Sequence, residues 1–146
     1  MLSKTLHRLT ATARPQAARA FASGFEKFDW EDPLKLQLKL TDEEQMIYEV
    51  AQGYAKDKLL PRVTEAYQKE KFDVEIMKEY GELGFLGCTI PEYGLPGVSS
   101  TAYGLINRAI ENVDSGYRSA LSVQSSLVMY PIYTFGSQEL KDRLIP

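Results

Sequence analysis

An all-α fold of about five helices is predicted by three features of this sequence. Between positions 41 and 146, apolar residues recur at intervals of three and four, which is the period of an amphipathic helix. Residues that cap helices precede these segments, and glycine or proline follows them. Alternation of polar and apolar residues never lasts for more than a few positions, so the sequence predicts no β-strand.

The first predicted helix opens with Thr41-Asp42-Glu43-Glu44, which has the Ser/Thr-x-x-Glu spacing of a capping box. Six apolar residues follow at helical spacing: Met46, Ile47, Val50, Ala51, Tyr54 and Ala55. Because proline has no backbone N–H and its ring crowds the preceding turn, we expect this helix to end at Pro61. The next segment, Val63 to Lys71, is charged and weakly periodic, and it fits a short helix and a loop equally well.

A second helix is expected after Asp73, whose carboxylate can cap it. Four apolar residues lie on one face of this helix, which runs into Gly84 and Gly87: Ile76, Met77, Tyr80 and Leu83. Glycine and proline are frequent from Cys88 to Val98, so this segment is predicted to be an irregular connection.

A third helix is predicted from about Ser100 to Val113, with an apolar side formed by Tyr103, Ile106, Ala109, Ile110 and Val113. Asp114-Ser115-Gly116 then interrupts the chain and caps a fourth helix, from Tyr117 to Met129, which we expect Pro131 to end. Ser137 is expected to cap a last helix, from Gln138 through Leu144.

The composition narrows the class of protein. A chain of 146 residues, 44% hydrophobic and 25% charged, is typical of one ordinary soluble domain. Residues 1–25 carry four basic side chains and no acidic one, whereas the remainder carries 13 basic and 20 acidic side chains. Because this remainder has no excess of positive charge for a phosphate backbone, we expect no nucleic-acid binding. No apolar run approaches the roughly 20 residues that cross a bilayer, so we expect no transmembrane segment.

The chain has one cysteine, Cys88, and one histidine, His7, which lies in the basic N-terminal segment. If that segment is removed, no histidine remains, which excludes Cys/His metal clusters and a Ser-His-Asp triad, and we expect no metal site. A single cysteine also excludes an intramolecular disulfide, which suits a reducing compartment. Cys88 lies among apolar neighbours and is predicted to be a buried structural thiol.

The N-terminal segment has the composition of a mitochondrial transit peptide. It is basic, rich in hydroxyl groups and free of acids, and its leucines stand at helical spacing. Arg19-Ala20-Phe21-Ala22-Ser23 resembles a matrix-protease site with cleavage after Phe21. We therefore predict a transit peptide over residues 1–21, an N-terminal extension over 22–40, and a location in the mitochondrial matrix. The alternative is a disordered basic N-terminus.

Four stretches of sequence carry a resemblance to a known family: Phe28 to Pro33, Gly81 to Gly87, Tyr93 to Ser100 and Asp114 to Gly136. From about Phe28 onward, the chain resembles the start of the mitochondrial glutaryl-CoA dehydrogenases, a branch of the acyl-CoA dehydrogenase family. Gly-Glu-Leu-Gly with the following Gly-rich turn is general to the family, whereas Asp-Ser-Gly-Tyr-Arg-Ser with its Ser-rich continuation is much more specific.

The resemblance implies that residues 41–146 form the N-terminal helical domain of the acyl-CoA dehydrogenase fold, without the middle β-domain and the C-terminal helical domain. In the family reaction, a carboxylate base removes an α-proton from glutaryl-CoA, FAD accepts the β-hydride, and decarboxylation gives crotonyl-CoA, a step of lysine and tryptophan degradation. No carboxylate in this chain matches that base, so we expect no catalytic residue here and an inactive fragment. The implied partners are glutaryl-CoA, an electron-transfer flavoprotein and further copies in a homotetramer.

Arg118 is the candidate for substrate binding. The first turn of a helix carries a partial positive charge, so an arginine there is mildly unfavourable unless an anion lies nearby. From spacing alone, either Asp114 or Glu111 could pair with Arg118 and give it a purely structural role. The resemblance implies instead that Arg118 meets the distal carboxylate of the glutaryl chain, which a guanidinium can grip with two parallel hydrogen bonds, and that Ser119 contacts substrate.

Two other functions remain open from the sequence. The chain could be the N-terminal domain of another acyl-CoA dehydrogenase, whose monocarboxylic substrate offers Arg118 no distal anion. It could also be a non-catalytic helical interaction module derived from such an enzyme, which would bind a protein partner and respond to neither flavin nor acyl-CoA.

Overall fold

The computed structural model describes residues 28–30 and 32–146, so the predicted transit peptide and His7 lie outside the described residues. The chain divides into two units, Met1–Leu36 and Gln37–Pro146. In the first unit, Asp32 organises a turn, because its carbonyl accepts from Lys35 N and its carboxylate accepts from Leu36 N, both at 2.9 Å.

After a short 3-10 helix (Gln37–Lys39), the second unit contains five continuous segments of α- and π-helix, and the described residues include no strand. The first segment joins α1 (Asp42–Tyr54), a π-helical turn (Ala55–Leu59) and α2 (Leu60–Lys69). The next two segments are α3 (Glu75–Glu82) and α4 (Ser100–Glu111). The fourth joins α5 (Ser115–Val123), a second π-helical turn (Gln124–Met129) and α6 (Tyr130–Phe135), and the fifth is α7 (Gln138–Leu144). The all-α prediction of about five helices is therefore confirmed.

The predicted caps are found at the helix starts. The Thr41 hydroxyl accepts from Glu44 N at 3.2 Å and the Glu44 carboxylate accepts from Thr41 N at 3.1 Å, which completes the capping box of α1. The Ser137 hydroxyl accepts from Leu140 N at the start of α7. Asp73 acts one residue outside the helix cap of α3, because its carboxylate accepts from Glu75 N at 3.1 Å.

The prediction that Pro61 and Pro131 end helices is wrong. In both places the chain stays helical, and each proline is the second residue of the helix that follows a π turn. The last N–H of each turn bonds to a carbonyl five residues earlier: Leu60 to Ala55, and Tyr130 to Ser125. A turn closed by such bonds is wider than an α-helical turn, so the proline ring that follows does not crowd the preceding carbonyls.

A carboxylate of α3 fastens both sides of the first π turn. Tyr54, the last residue of α1, donates from its hydroxyl to Glu79 at 2.6 Å, and Arg62 of α2 donates to the other Glu79 oxygen at 2.7 Å. Arg62 also reaches Asp73 at 3.4 Å. Burial raises the pKa of Glu79, but the hydrogen bonds from Tyr54 and Arg62 outweigh it and leave this pKa below the usual glutamate range.

The main core lies where α1 packs against α4, with α3 and α5 closing its sides. Ala51 and Ala55 of the predicted apolar face are buried, but Met46 and Val50 are 59% and 53% exposed. The buried stripe of α1 is the neighbouring one, which includes Tyr48 and packs against α4. The apolar face predicted from the sequence was therefore wider than the face that is buried.

Cys88 is buried, and burial raises the pKa of its thiol to about 11, which confirms a structural thiol. The preceding residue, Gly87, has φ +58°, and a Cβ there would lie 2.6 Å from Met129 Cε. Its N–H donates to the buried hydroxyl of Ser125 at 3.1 Å. This turn therefore packs directly onto the Ser-rich helix.

Within the described residues, no helix is long and apolar enough to cross a bilayer. The same residues contain no group of three or more metal-ligating side chains.

Candidate functional site

The junction between α4 and α5 places Arg118 in the first turn of α5. After Glu111, the last residue of α4, the N–H groups of Val113 and Asp114 both bond to the Ile110 carbonyl, which closes the helix. Asp114 is extended and starts the next helix, because its carboxylate accepts from Gly116 N at 2.7 Å and from Tyr117 N at 3.2 Å. The predicted break and cap are thus confirmed.

Arg118 is held by one carboxylate and one hydroxyl. Its Nε donates to Glu111 Oε2 at 2.6 Å, and its Nη1 donates to Ser122 Oγ at 3.2 Å. Asp114, the other carboxylate considered from the sequence, serves as the helix cap instead. The Nη2 nitrogen has no hydrogen-bond partner among the residues that the structure describes. The Arg118 side chain is 35% exposed.

Glu111 receives a hydrogen bond on each carboxylate oxygen. Arg118 binds Oε2, and the hydroxyl of Ser115, the first residue of α5, donates to Oε1 at 2.5 Å. Hydrogen bonds from Arg118 and from Ser115 hold the pKa of Glu111 below the usual glutamate range. Glu111 is therefore ionised at neutral pH and faces Arg118 as an anion.

The serines of this helix differ in what they contact. The Ser122 hydroxyl accepts from Arg118 and donates to the Ser119 carbonyl at 3.3 Å, whereas the Ser126 hydroxyl donates to the Ser122 carbonyl at 2.6 Å. Ser119, predicted to contact substrate, is half-buried, and its hydroxyl bonds to neither Arg118 nor Glu111 in the described part of the chain. The structure thus brings Ser122, not Ser119, to the guanidinium. The four-residue spacing from Arg118 was the signal for this contact.

Two cavities lie away from Arg118 and Ser119. One, of about 280 Å³, is formed mainly by apolar side chains of α1, the turn after α3 and the connection to α4, including Met46, Val50 and Val98. The other is an open groove of about 710 Å³ between the end of α2 and the start of α5, lined in part by Tyr67 and Tyr117. Neither cavity is lined by Arg118.

Comparisons with known proteins agree on one family. Residues 41–146 match the family described as acyl-CoA dehydrogenase, N-terminal domain. A glutaryl-CoA dehydrogenase from Mycobacterium smegmatis, solved in complex with FADH2, is 35% identical with a TM-score of 0.75, over 77% of this chain and 29% of that one. The butyryl-CoA dehydrogenase of Megasphaera elsdenii is 32% identical with a TM-score of 0.67, over 73% of this chain and 29% of that one.

A curated relative, the probable acyl-CoA dehydrogenase YngJ of Bacillus subtilis, is 32% identical over 111 residues, which are 73% of this chain and 28% of that protein. The chain therefore spans less than a third of the length of these relatives. Because the family match covers most of the chain and its helices superpose on solved members, the chain belongs to the acyl-CoA dehydrogenase family and carries its N-terminal domain.

Proposed function

We propose that this chain supplies the N-terminal, substrate-side domain of an FAD-dependent dehydrogenase that acts on glutaryl-CoA and forms crotonyl-CoA. The observation that carries the proposal is Arg118, a cation in the first turn of α5 whose Nη2 has no hydrogen-bond partner among the described residues. The likeness to the M. smegmatis glutaryl-CoA dehydrogenase supports the choice of substrate.

The electrostatics of the site suit a second anion. The positive end of α5 and the guanidinium lie close together, and Glu111 meets only the Nε side of Arg118. The Ser122 hydroxyl at Nη1 is neutral. A carboxylate at the far end of an acyl chain can therefore bind the Nη2 end with charge-assisted hydrogen bonds. In this arrangement Glu111 orients the guanidinium, and the substrate anion completes its coordination.

A second candidate is an acyl-CoA dehydrogenase for monocarboxylic chains. The ion pair with Glu111 favours it, because this pair and the Ser122 contact already give Arg118 a structural role without any substrate anion. Similarity to the butyryl-CoA dehydrogenase of M. elsdenii supports this candidate too. The two functions differ in one measurable quantity, which is the dependence of substrate preference on the Arg118 charge.

The test uses a chimeric enzyme in which residues 28–146 replace the matching domain of the M. smegmatis glutaryl-CoA dehydrogenase. Arg118→Gln keeps a polar side chain but removes the charge. Glutaryl-CoA should then lose about 2 kcal/mol of transition-state stabilisation, or about 30-fold in kcat/KM, which is in the range of a charged hydrogen bond. Pentanoyl-CoA, which has five acyl carbons but no distal carboxylate, should lose little.

The control is Arg143→Gln, which removes the same charge from an exposed arginine of α7. It should leave both substrates unchanged. If Arg118→Gln lowers kcat/KM equally for glutaryl-CoA and pentanoyl-CoA while FAD content stays normal, the anchor is rejected and the second candidate stands.

FAD is the cofactor that we propose for the complete enzyme, and the described residues do not form its site on their own. The smaller cavity is lined almost entirely by apolar side chains. The larger groove carries charges of both signs, from Glu70, Lys71 and Asp114. We propose, from the family membership, that the main flavin site lies in the part of the relatives' length that this chain does not span. An electron-transfer flavoprotein and a homotetrameric assembly are the partners that we propose with it.

We also propose that the protein works in the mitochondrial matrix, on the basis of the acid-free basic segment at residues 1–25. N-terminal sequencing of protein purified from mitochondria should begin after Phe21. Recovery of an intact Met1 from mitochondria would contradict cleavage, and protein found only in the cytosol would contradict the location.

A further inference from the structure

Ser115 links the start of α5 to the residue that orients Arg118. Its hydroxyl donates to Glu111 Oε1 at 2.5 Å, while Arg118 Nε donates to Glu111 Oε2 at 2.6 Å. Both oxygens of this carboxylate are therefore fixed, one by each residue. Because Glu111 ends α4 and Ser115 begins α5, the bond spans the turn between the two helices.

The hydroxyl of Ser115 is available for this contact because another residue caps the helix. Asp114 already accepts from the N–H groups of Gly116 and Tyr117. The start of α4 also has a cap residue, Ser99, followed by a serine, Ser100, as the first residue of the helix. There, however, the Ser100 hydroxyl makes no hydrogen bond within the described residues. Ser115 thus differs from a serine at the equivalent helix position by its bond to Glu111.

A glutamate that is 45% exposed and held through one oxygen samples several rotamers. The second hydrogen bond removes much of this freedom and keeps the carboxylate plane facing Arg118 Nε. The guanidinium is planar, so the Glu111 contact at Nε and the Ser122 contact at Nη1 together set the direction in which Nη2 points. The orientation of Nη2 therefore depends on a residue that does not touch it.

We propose that Ser115 is a positioning residue for substrate selection, and this inference rests on the proposed function. Its hydroxyl holds Glu111, Glu111 orients Arg118, and Arg118 presents Nη2 to the distal carboxylate of a dicarboxylic acyl-CoA. Ser115 makes no contact with the substrate in this arrangement. Its effect is confined to the preference for dicarboxylic over monocarboxylic acyl chains.

The experiment compares Ser115→Ala, Ser115→Thr and Ser100→Ala in the FAD-loaded chimeric enzyme. Ser115→Ala should lower the ratio of kcat/KM for glutaryl-CoA to that for pentanoyl-CoA by about threefold to tenfold, as expected for one hydrogen bond to a charged, partly exposed group. Ser115→Thr retains the hydroxyl and should restore the ratio. Ser100→Ala, the matched control at the first residue of α4, should leave it unchanged.

A second readout does not depend on substrate. In the chimeric enzyme, the NMR titration of the Glu111 carboxyl should give a higher pKa with Ser115→Ala than with Ser115→Thr, because the alanine removes a hydrogen bond to the charged form. An unchanged Glu111 pKa in Ser115→Ala would overturn the inference.

Arg118→Gln separates the two proposals. In that background, Ser115→Ala should have no further effect on the ratio. If Arg118→Gln is selective for glutaryl-CoA but Ser115→Ala behaves like Ser100→Ala, the role of Ser115 is overturned and the proposed function stands. If Arg118→Gln is unselective, the proposed function fails and the role of Ser115 fails with it.

Discussion

Glu44 and Ser99 are joined by a hydrogen bond of 2.7 Å from the Ser99 hydroxyl to Glu44 Oε1. The other oxygen of Glu44 closes the capping box of α1, and the Ser99 hydroxyl also accepts from Ala102 N at the start of α4. One carboxylate thereby ties together the N-termini of the two helices that form the main core.

Removing the Glu44–Ser99 hydrogen bond should destabilise the domain, and the effects of changing the two residues should not be additive. Ser99→Ala removes the cap of α4, which costs about 1 kcal/mol, so the thermal unfolding midpoint of the chimeric enzyme should fall by about 2–4 °C. Glu44→Gln should cost less in the Ser99→Ala background than in the unchanged protein, because the shared bond is already lost. Strictly additive losses of stability from the two substitutions would contradict a contribution of this hydrogen bond. Glu43→Gln, the neighbouring exposed carboxylate, is the control.

The stabilisation that Glu79 gives the folded protein should be lost at acid pH. Its folded-state pKa is lowered, so the stability it contributes is complete above the ordinary glutamate range, near pH 4.5. This contribution is lost as the pH falls through the lower folded-state value. The stability difference between the unchanged protein and Glu79→Gln, measured by urea unfolding, should therefore be constant near neutral pH and shrink below about pH 4.5.

Cys88 should resist alkylation in the folded protein. The thiolate is the reactive species, and a pKa of about 11 in a buried site leaves very little thiolate and little access at pH 8. Iodoacetamide labelling, followed by mass spectrometry, should be slow in buffer and fast in urea. Labelling in buffer at the rate of a free cysteine peptide would show that the site opens readily.

The chain on its own should neither retain FAD through gel filtration nor reduce an electron acceptor with glutaryl-CoA. It spans less than a third of the length of its relatives. Leu127 and Phe135, 68% and 85% exposed, also present apolar surface that favours aggregation. Stoichiometric flavin absorbance in the purified chain would contradict this prediction.

Local chemistry made the helix starts predictable, because a cap depends on residues within four positions of one another. Thr41, Asp114 and Ser137 all cap as the sequence indicates. The paths through Pro61 and Pro131 could not be predicted in this way. A π turn depends on how the helices on either side pack, and no residue type marks it. The exposure of Met46 likewise depends on which stripe of α1 is covered by α4.

The central residue of the candidate site could be predicted from the sequence, but the residues that contact it could not all be predicted. Arg118 stands out because a cation at a helix start needs an anion, and Glu111 was one of two possible partners. Ser115 and Ser122 contact this pair only because the turn between α4 and α5 brings two helix ends together. Sequence spacing does not determine the angle of such a turn. The role of Ser119 stays a prediction.

The two π turns constrain the length of the chain as well as its composition. Each turn accommodates one residue more than a regular α-helix would need over the same distance. Deleting a single residue from Ala55–Leu59 or Gln124–Met129 would convert the π turn to a regular α-helical turn, leave the downstream side chains near their present phase, and press the following proline into that regular turn. A one-residue gap at these positions in a homologue therefore marks a helix without the π turn, and such a helix should also lack the proline that follows it here.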